Sequence, residues 1–167
     1  MPMTHPSKFI ASLLAFSLAA FAGRAISADY SPQVWINPGL YSYHFDRSKN
    51  FRDNNIGAGA EVLITKDHGV MAGTFINSDR ARSHYVAYQW RPLHWETFES
   101  FSVSGGVIAG AFDGYPRMRN GGWFVAPLPL LAIEGKRNRF GVNFTLVPNY
   151  GNRLHGAVAI QLKLQVW

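Results

Sequence analysis

Alternation with period two dominates the chain beyond residue 33. In the last run Val158, Ile160, Leu162, Leu164 and Val166 share one parity, while Ala159, Gln161, Lys163 and Gln165 share the other. Phe140, Val142, Phe144 and Leu146 alternate with Gly141, Asn143 and Thr145, and Phe101, Val103, Val107 and Ala109 alternate with Ser102 and Ser104. Successive side chains of a strand point to opposite faces, so each run predicts a strand with one apolar and one polar side. Eight such runs, separated by turn residues, cover 34–45, 56–66, 69–77, 82–91, 98–112, 122–133, 138–147 and 155–167. The connections at 66–68, 92–97 and 134–137 are short, and most of those at 47–55, 78–81, 113–121 and 148–154 are longer. An even strand count with short turns at one end and longer loops at the other predicts an eight-stranded antiparallel transmembrane β-barrel. Its apolar faces point to lipid, its polar faces line the lumen, and the longer loops are extracellular. Trp167 falls on the polar parity, which predicts a twist or bulge in the last pair.

The N-terminus adds an export signal. Lys8 precedes an apolar stretch from Phe9 to Ala22, followed by small residues, which is the pattern of a secretory signal peptide. Cleavage after Ser27, or alternatively after Ala22, divides the chain into a signal at 1–27 and a barrel at 28–167. The chain has no cysteine, so an exported domain of this size must be held without disulfides. A closed hydrogen-bonded sheet does that. Charged residues make up 16% and aromatics 14%, and the aromatics crowd the strand ends at Trp35, Tyr41, Tyr43, Trp90, Trp95, Trp123, Tyr150 and Trp167, as membrane girdles do. A soluble lipocalin-like barrel with inverted faces is the competing reading of the same alternation. The net charge of +6 suits anionic lipid better than it identifies any partner. Nucleic-acid binding is not expected of an exported barrel, and a single closed barrel is expected to be a monomer.

Candidate chemistry gathers at the extracellular mouth. His44 lies near the outer end of the first strand on the parity of Ser42, opposite Tyr41, Tyr43 and Phe45, and so is expected to point inward. Asn77-Ser78 ends the third strand at the same rim. A histidine can accept a hydroxyl proton and a nearby amide can steady an oxyanion, which is the minimal equipment for acyl transfer or ester hydrolysis. Strand-end Ser, His and Asn are also ordinary turn residues. Arg47, Arg80, Arg82 and Arg117 fall in or beside the outer loops, where guanidinium groups can pair with lipid phosphates. The remaining histidines, His5, His68, His84, His94 and His155, show no ligand spacing, so no metal is assigned, and no glycine loop suggests a cofactor.

The segment Gly69-Val70-Met71-Ala72-Gly73-Thr74-Phe75-Ile76-Asn77-Ser78 resembles the strand of lipid A palmitoyltransferases that ends in Phe-Lys-Asp-Ser, with the same spacing from glycine to serine. Tyr88, Trp90 and Arg91-Pro92-Leu93 align without a gap, and Pro127-Leu128-Pro129 and Leu146-Val147-Pro148 resemble that family's Pro-Leu-Pro and Tyr-Ile-Pro. The resemblance is sparse and spans most of the barrel. It implies an outer-membrane barrel that moves an acyl chain from a glycerophospholipid to lipid A through an extracellular site of His, Asp and Ser. On this chain the serine is Ser78, Asn77 stands where aspartate is usual, and His44 takes the histidine's place. His44 lies closer to the following loop than the family's Trp-His-x-Arg-Phe pattern, though on the same face. Pro148 matches one of the family's two lateral openings, while Asn54-Asn55-Ile56 lacks the proline of the other. A lumen floored by small residues is expected to hold the acyl chain. Two alternatives stand beside this one: a non-catalytic barrel with a structural or apolar-ligand role, and a hydrolase of lipid A or phospholipid acyl chains.

Overall fold

The computed structural model describes residues 30–96 and 99–167. The signal peptide expected at 1–27 lies outside them, as does Phe98, the expected start of the fifth strand. The chain divides into Met1–Tyr30 and Ser31–Trp167, and the second unit is the barrel. Its strands are β1 (Gln33–His44), β2 (Asn54–Leu63), β3 (His68–Ile76), β4 (Arg82–Trp95), β5 (Phe101–Phe112), β6 (Phe124–Gly135), β7 (Phe140–Val147) and β8 (Ala157–Gln165). Each pairs antiparallel with the next, and β8 closes on β1. Closure gives every strand a paired neighbour on both sides, which backbone groups within hydrocarbon require.

The alternation maps onto the wall as expected. Leu162 is 63% exposed on the outside, whereas Lys163 is 2% exposed in the lumen. Phe140 and Leu146 face outward around a buried Asn143. Apolar outside and polar inside is the arrangement of a transmembrane barrel rather than a soluble one. Two details differ from the sequence reading. β4 continues to Trp95 instead of stopping at Arg91, because a register shift between Trp90 and Leu93 absorbs Pro92, which has no amide to donate. Trp35 is no girdle residue: it is 1% exposed inside the barrel, under the Lys163 ammonium at 4.6 Å from the ring centre. At the other end of the chain both Val166 and Trp167 donate to the Val34 carbonyl, at 2.8 and 3.3 Å. Two residues thus oppose one, the bulge that the parity of Trp167 predicts.

The lumen has two storeys. Toward the short turns, Lys163 Nζ donates to Glu61 Oε1 at 2.8 Å and to Glu134 Oε1 at 2.6 Å. Arg91 Nη1 donates to Glu134 Oε1 at 2.7 Å, and Asn143 Nδ2 to Glu61 Oε2 at 2.9 Å. Two carboxylates and two cations balance, so the cluster is neutral and tied by hydrogen bonds. Above it Met71, Phe75, Tyr85, Ala87, Ile108 and Leu130 form an apolar cluster.

Removing the cation alone should expose the cost of the buried acids. Lys163→Met keeps an apolar stem against Trp35 but leaves Glu61 with only the Asn143 amide and Glu134 with Arg91 alone. Urea unfolding of the refolded barrel in detergent should show a loss of about 3 kcal/mol or more. A loss below about 1 kcal/mol would mean that water, not the ammonium, solvates these acids.

Candidate functional site

His44 reaches the lumen because β1 slips. Trp35 and Asn37 are buried at odd positions, Ser42 and His44 at even ones. A regular strand cannot bury both sets, since one residue of slip exchanges the faces. The register shift between Asn37 and Gly39 supplies that slip. Gly39 has φ +116°, and a Cβ there would stand 2.8 Å from both the Asn55 carbonyl and the Gly57 amide nitrogen. Only glycine fits.

Beyond the bulge, the 45–53 loop folds back over the rim. His44 is 5% exposed, and its Nδ1 lies 3.0 Å from Asp53 Oδ1. The other Asp53 oxygen accepts from Arg47 Nη1 at 2.9 Å. Burial pushes the Asp53 carboxyl up, but the hydrogen bonds from His44 and Arg47 and the Arg47 charge outweigh it, leaving the carboxyl below its ordinary pKa. An ionised carboxylate only accepts, so the His44 proton sits on Nδ1. Nε2 has no hydrogen-bond partner among the described residues. Phe51 stacks on the His44 ring, with centroids 4.8 Å apart, and touches His155 on its other side at 4.7 Å.

His44, Ser42, Ser78 and Asp79 share a small cavity of about 40 Å³. The structure therefore brings His44 and Ser78 to one pocket. The Ser78 carbonyl accepts from the Arg52 amide at 3.1 Å, and the hydroxyl has no partner among the described residues. Asn77 is committed elsewhere. It is fully buried, and its Nδ2 donates to Ser83 Oγ at 2.9 Å and to the Gly114 carbonyl at 2.8 Å. Its Oδ1 accepts from the amides of Asp79 and Ala81 at 2.9 and 3.0 Å. All its donors and acceptors are used in shaping the turn that carries Ser78. Asn77 thus orients that turn and has no donor left for an oxyanion.

The four arginines divide. Arg47 holds Asp53 and lies over Tyr43. Arg80 sits in the left-handed region at φ 65° and donates to the Asn50 carbonyl at 3.1 Å. Arg117 stands 2.8 Å from His155 Nε2 and 3.4 Å from Asp79 Oδ1. A guanidinium only donates, so His155 is neutral there. Burial, together with the charges of Lys49 and Arg117, holds its pKa below the usual histidine value. Arg80 and Arg117 line one open cleft with Lys49 and Ser78, whereas Arg82 is exposed at the start of β4 and Arg47 is outside the cleft.

Beneath the pocket, Ser42, Tyr115, Val147 and Leu154 also border an apolar cavity of about 100 Å³, walled by Met71, Phe75, Phe112 and Leu128. Small residues do not floor it. Gly59 and Gly73 are present, but the Tyr85 hydroxyl fills the space a Cβ on either would need, and Gln161 Nε2 donates to that hydroxyl at 3.3 Å. The cavity meets the wall where the wall is weakest. β5 and β6 pair from Phe101↔Gly135 to Phe112↔Phe124, whereas β6 and β7 pair only from Leu130↔Thr145 to Glu134↔Gly141. Continuing that register sets Pro129 against Leu146 and Pro127 against Pro148. With the β5 side of the ladder complete, the missing proline amides fall on the β7 side. The upper half of this seam is therefore unpaired.

Asp53 and Phe51 are the site residues that the sequence does not single out. Asp53 reads there as one of two acids beside three basic residues in the loop, and nothing in its spacing announces that the loop returns to His44.

No family model matches the chain, and no curated protein matches it. Among solved structures it is similar to Ail, the attachment invasion locus protein of Yersinia pestis, at 14% identity and a TM-score of 0.38, over 80% of this chain and 96% of that one.

Proposed function

We propose that this barrel sits in the outer membrane and transfers an acyl chain from a glycerophospholipid to lipid A. The observation that carries the reading is the apolar cavity that meets the unpaired β6–β7 seam and lies under the pocket of His44 and Ser78. A lipid in the outer leaflet could pass an acyl chain through that seam and present its ester carbonyl to the pocket. Ser78 Oγ attacks the carbonyl carbon as His44 Nε2 takes its proton. The ester C–O bond of the donor then breaks, and the proton returns to the departing lysophospholipid oxygen. A lipid A hydroxyl repeats the sequence on the acyl-serine and regenerates the free hydroxyl. Lys49, Arg80 and Arg117 beside Ser78 are suited to the lipid A phosphates. The sequence resemblance to lipid A palmitoyltransferases points the same way. As it stands the cavity takes only a short apolar segment, and a long chain requires Met71, the flexible side chain of its wall, to move.

A second reading has its own support. The lower lumen is filled by the Glu61–Lys163–Glu134–Arg91 cluster, as in a non-catalytic barrel built for stability. Mass spectrometry of lipid A from a lipid-A-producing host separates the two. With wild type, lipid A should gain one long acyl chain, and Ser78→Ala should abolish the gain. Release of free fatty acid without the added chain would mark a hydrolase. Lipid A identical to the empty host, despite a folded barrel, would favour the non-catalytic barrel.

The seam makes a separate prediction. Pro127→Ala with Pro129→Ala restores two amide donors, each contributing about 1 kcal/mol when paired. Closing the seam by about 2 kcal/mol should slow acyl transfer roughly thirtyfold while the barrel folds normally. An unchanged rate would mean that lipid enters elsewhere.

A further inference from the structure

We infer that Asp53 is the positioning carboxylate of His44, and that the Arg47–Asp53 pair sets the imidazole tautomer that the reaction uses. The inference deepens the acyl-transfer reading and rests on it for its kinetic half only. Its structural half, the tautomer, stands on geometry alone.

Two contacts hold the imidazole, and a third secures the carboxylate. Asp53 Oδ1 is 3.0 Å from Nδ1, which fixes the proton on that nitrogen. Arg47 at 2.9 Å occupies the second oxygen, so the carboxylate can neither rotate away nor readily take up a proton. Phe51, stacked at 4.8 Å, keeps the ring from turning over. The Nδ1 proton is thereby held, and Nε2, without a partner among the described residues, is the ring nitrogen that can take up a hydroxyl proton. Imidazolium formed at that step is stabilised by the same carboxylate.

The other charged and titratable groups around the ring do not compete for Nδ1. Asp46 lies on the same loop and is bonded to Ser48. Asp79, from the turn between β3 and β4, borders the pocket but pairs with Arg117. Tyr115 comes from the loop between β5 and β6, and Arg153 and His155 from the loop between β7 and β8. Arg47 and Lys49 complete the set on the 45–53 loop. Asn77, the residue beside Ser78, has no group to spare for His44. Among the described residues only Asp53 is hydrogen-bonded to the ring. Asp53 stands in the loop just before β2 rather than in a strand, so substituting it leaves the barrel's pairing intact.

The test uses the full barrel refolded in detergent, labelled with nitrogen-15 histidine. Two-bond nitrogen–proton correlations report which ring nitrogen of His44 carries the proton. Wild type should show the Nδ1-protonated form. Asp53→Asn should lose it in favour of the Nε2-protonated form or a mixture, and Asp53→Glu should keep most of it. In acyl transfer, Asp53→Asn should lower kcat about a hundredfold or more with KM unchanged, and Asp53→Glu should recover part of the loss. Arg47→Gln, which leaves Asp53 in place, should give a smaller drop in the same direction and serves if Asp53→Asn fails to fold. A wild-type ring protonated on Nε2, or a tautomer indifferent to Asp53→Asn, overturns the inference even if the enzyme is active. Full kcat in folded Asp53→Asn overturns it as well. If wild type transfers no acyl chain but the tautomer follows Asp53, the acyl-transfer reading fails and the positioning of His44 stands.

Discussion

The ammonium of Lys163, buried between Glu61 and Glu134, is the interaction around which the rest of this barrel is arranged. A barrel solvated by lipid gains little from packing its outer face, because lipid tails are as apolar as its own side chains. What fixes its circumference has to lie inside. Glu61 comes from β2, Arg91 from β4, Glu134 from β6, Asn143 from β7 and Lys163 from β8, so one hydrogen-bonded cluster ties strands from around the whole wall. Trp35 beneath the ammonium adds β1.

That bracing is what lets the upper barrel depart from regularity. β6, β7 and β8 are held together below by Glu134, Asn143 and Lys163, and the β6–β7 ladder can stop at Leu130↔Thr145 without opening the barrel from end to end. The three prolines near the upper seam sit where their missing amides weaken one flank of the wall and leave the β5–β6 ladder whole. Polar side chains fill the braced half, and the apolar cavity lies in the half with the open seam. The candidate site and the unpaired seam thus share one end of the molecule, and the buried ion cluster lies at the other.

The rim depends on two backbone events. The slip at Asn37/Gly39 turns His44 inward, and the turn filled by Asn77 presents Ser78 to the same pocket. Asn77 occupies the place of the aspartate in the lipid A palmitoyltransferase pattern, yet its amide serves the turn. The carboxylate at the histidine belongs to Asp53, on a different loop.

Strand number, barrel closure and the direction of nearly every side chain were legible in the chain, because period-two alternation is a local property and one face of each strand must match its solvent. The odd parity of Trp167 likewise announced the irregularity found at Val34. Pro92 instead read as the start of a turn, whereas the strand passes it through the register shift at Trp90/Leu93. Trp35 misled because an aromatic at a strand end reads as a girdle residue, and only the arrival of Lys163 from the far end of the chain makes the lumen its place. The inward aim of His44, the rim position of Ser78 and their meeting at the mouth could be read; the partnership with Asp53 and the commitment of Asn77 could not. Those depend on how loops fold back across the mouth and on contacts between residues far apart in sequence, such as Asn77 with Gly114. The sequence by itself determined the wall, since alternation and turn chemistry act between neighbours. The tertiary structure alone decided which wall and loop residues meet, because closing the barrel brings together groups that no local pattern relates.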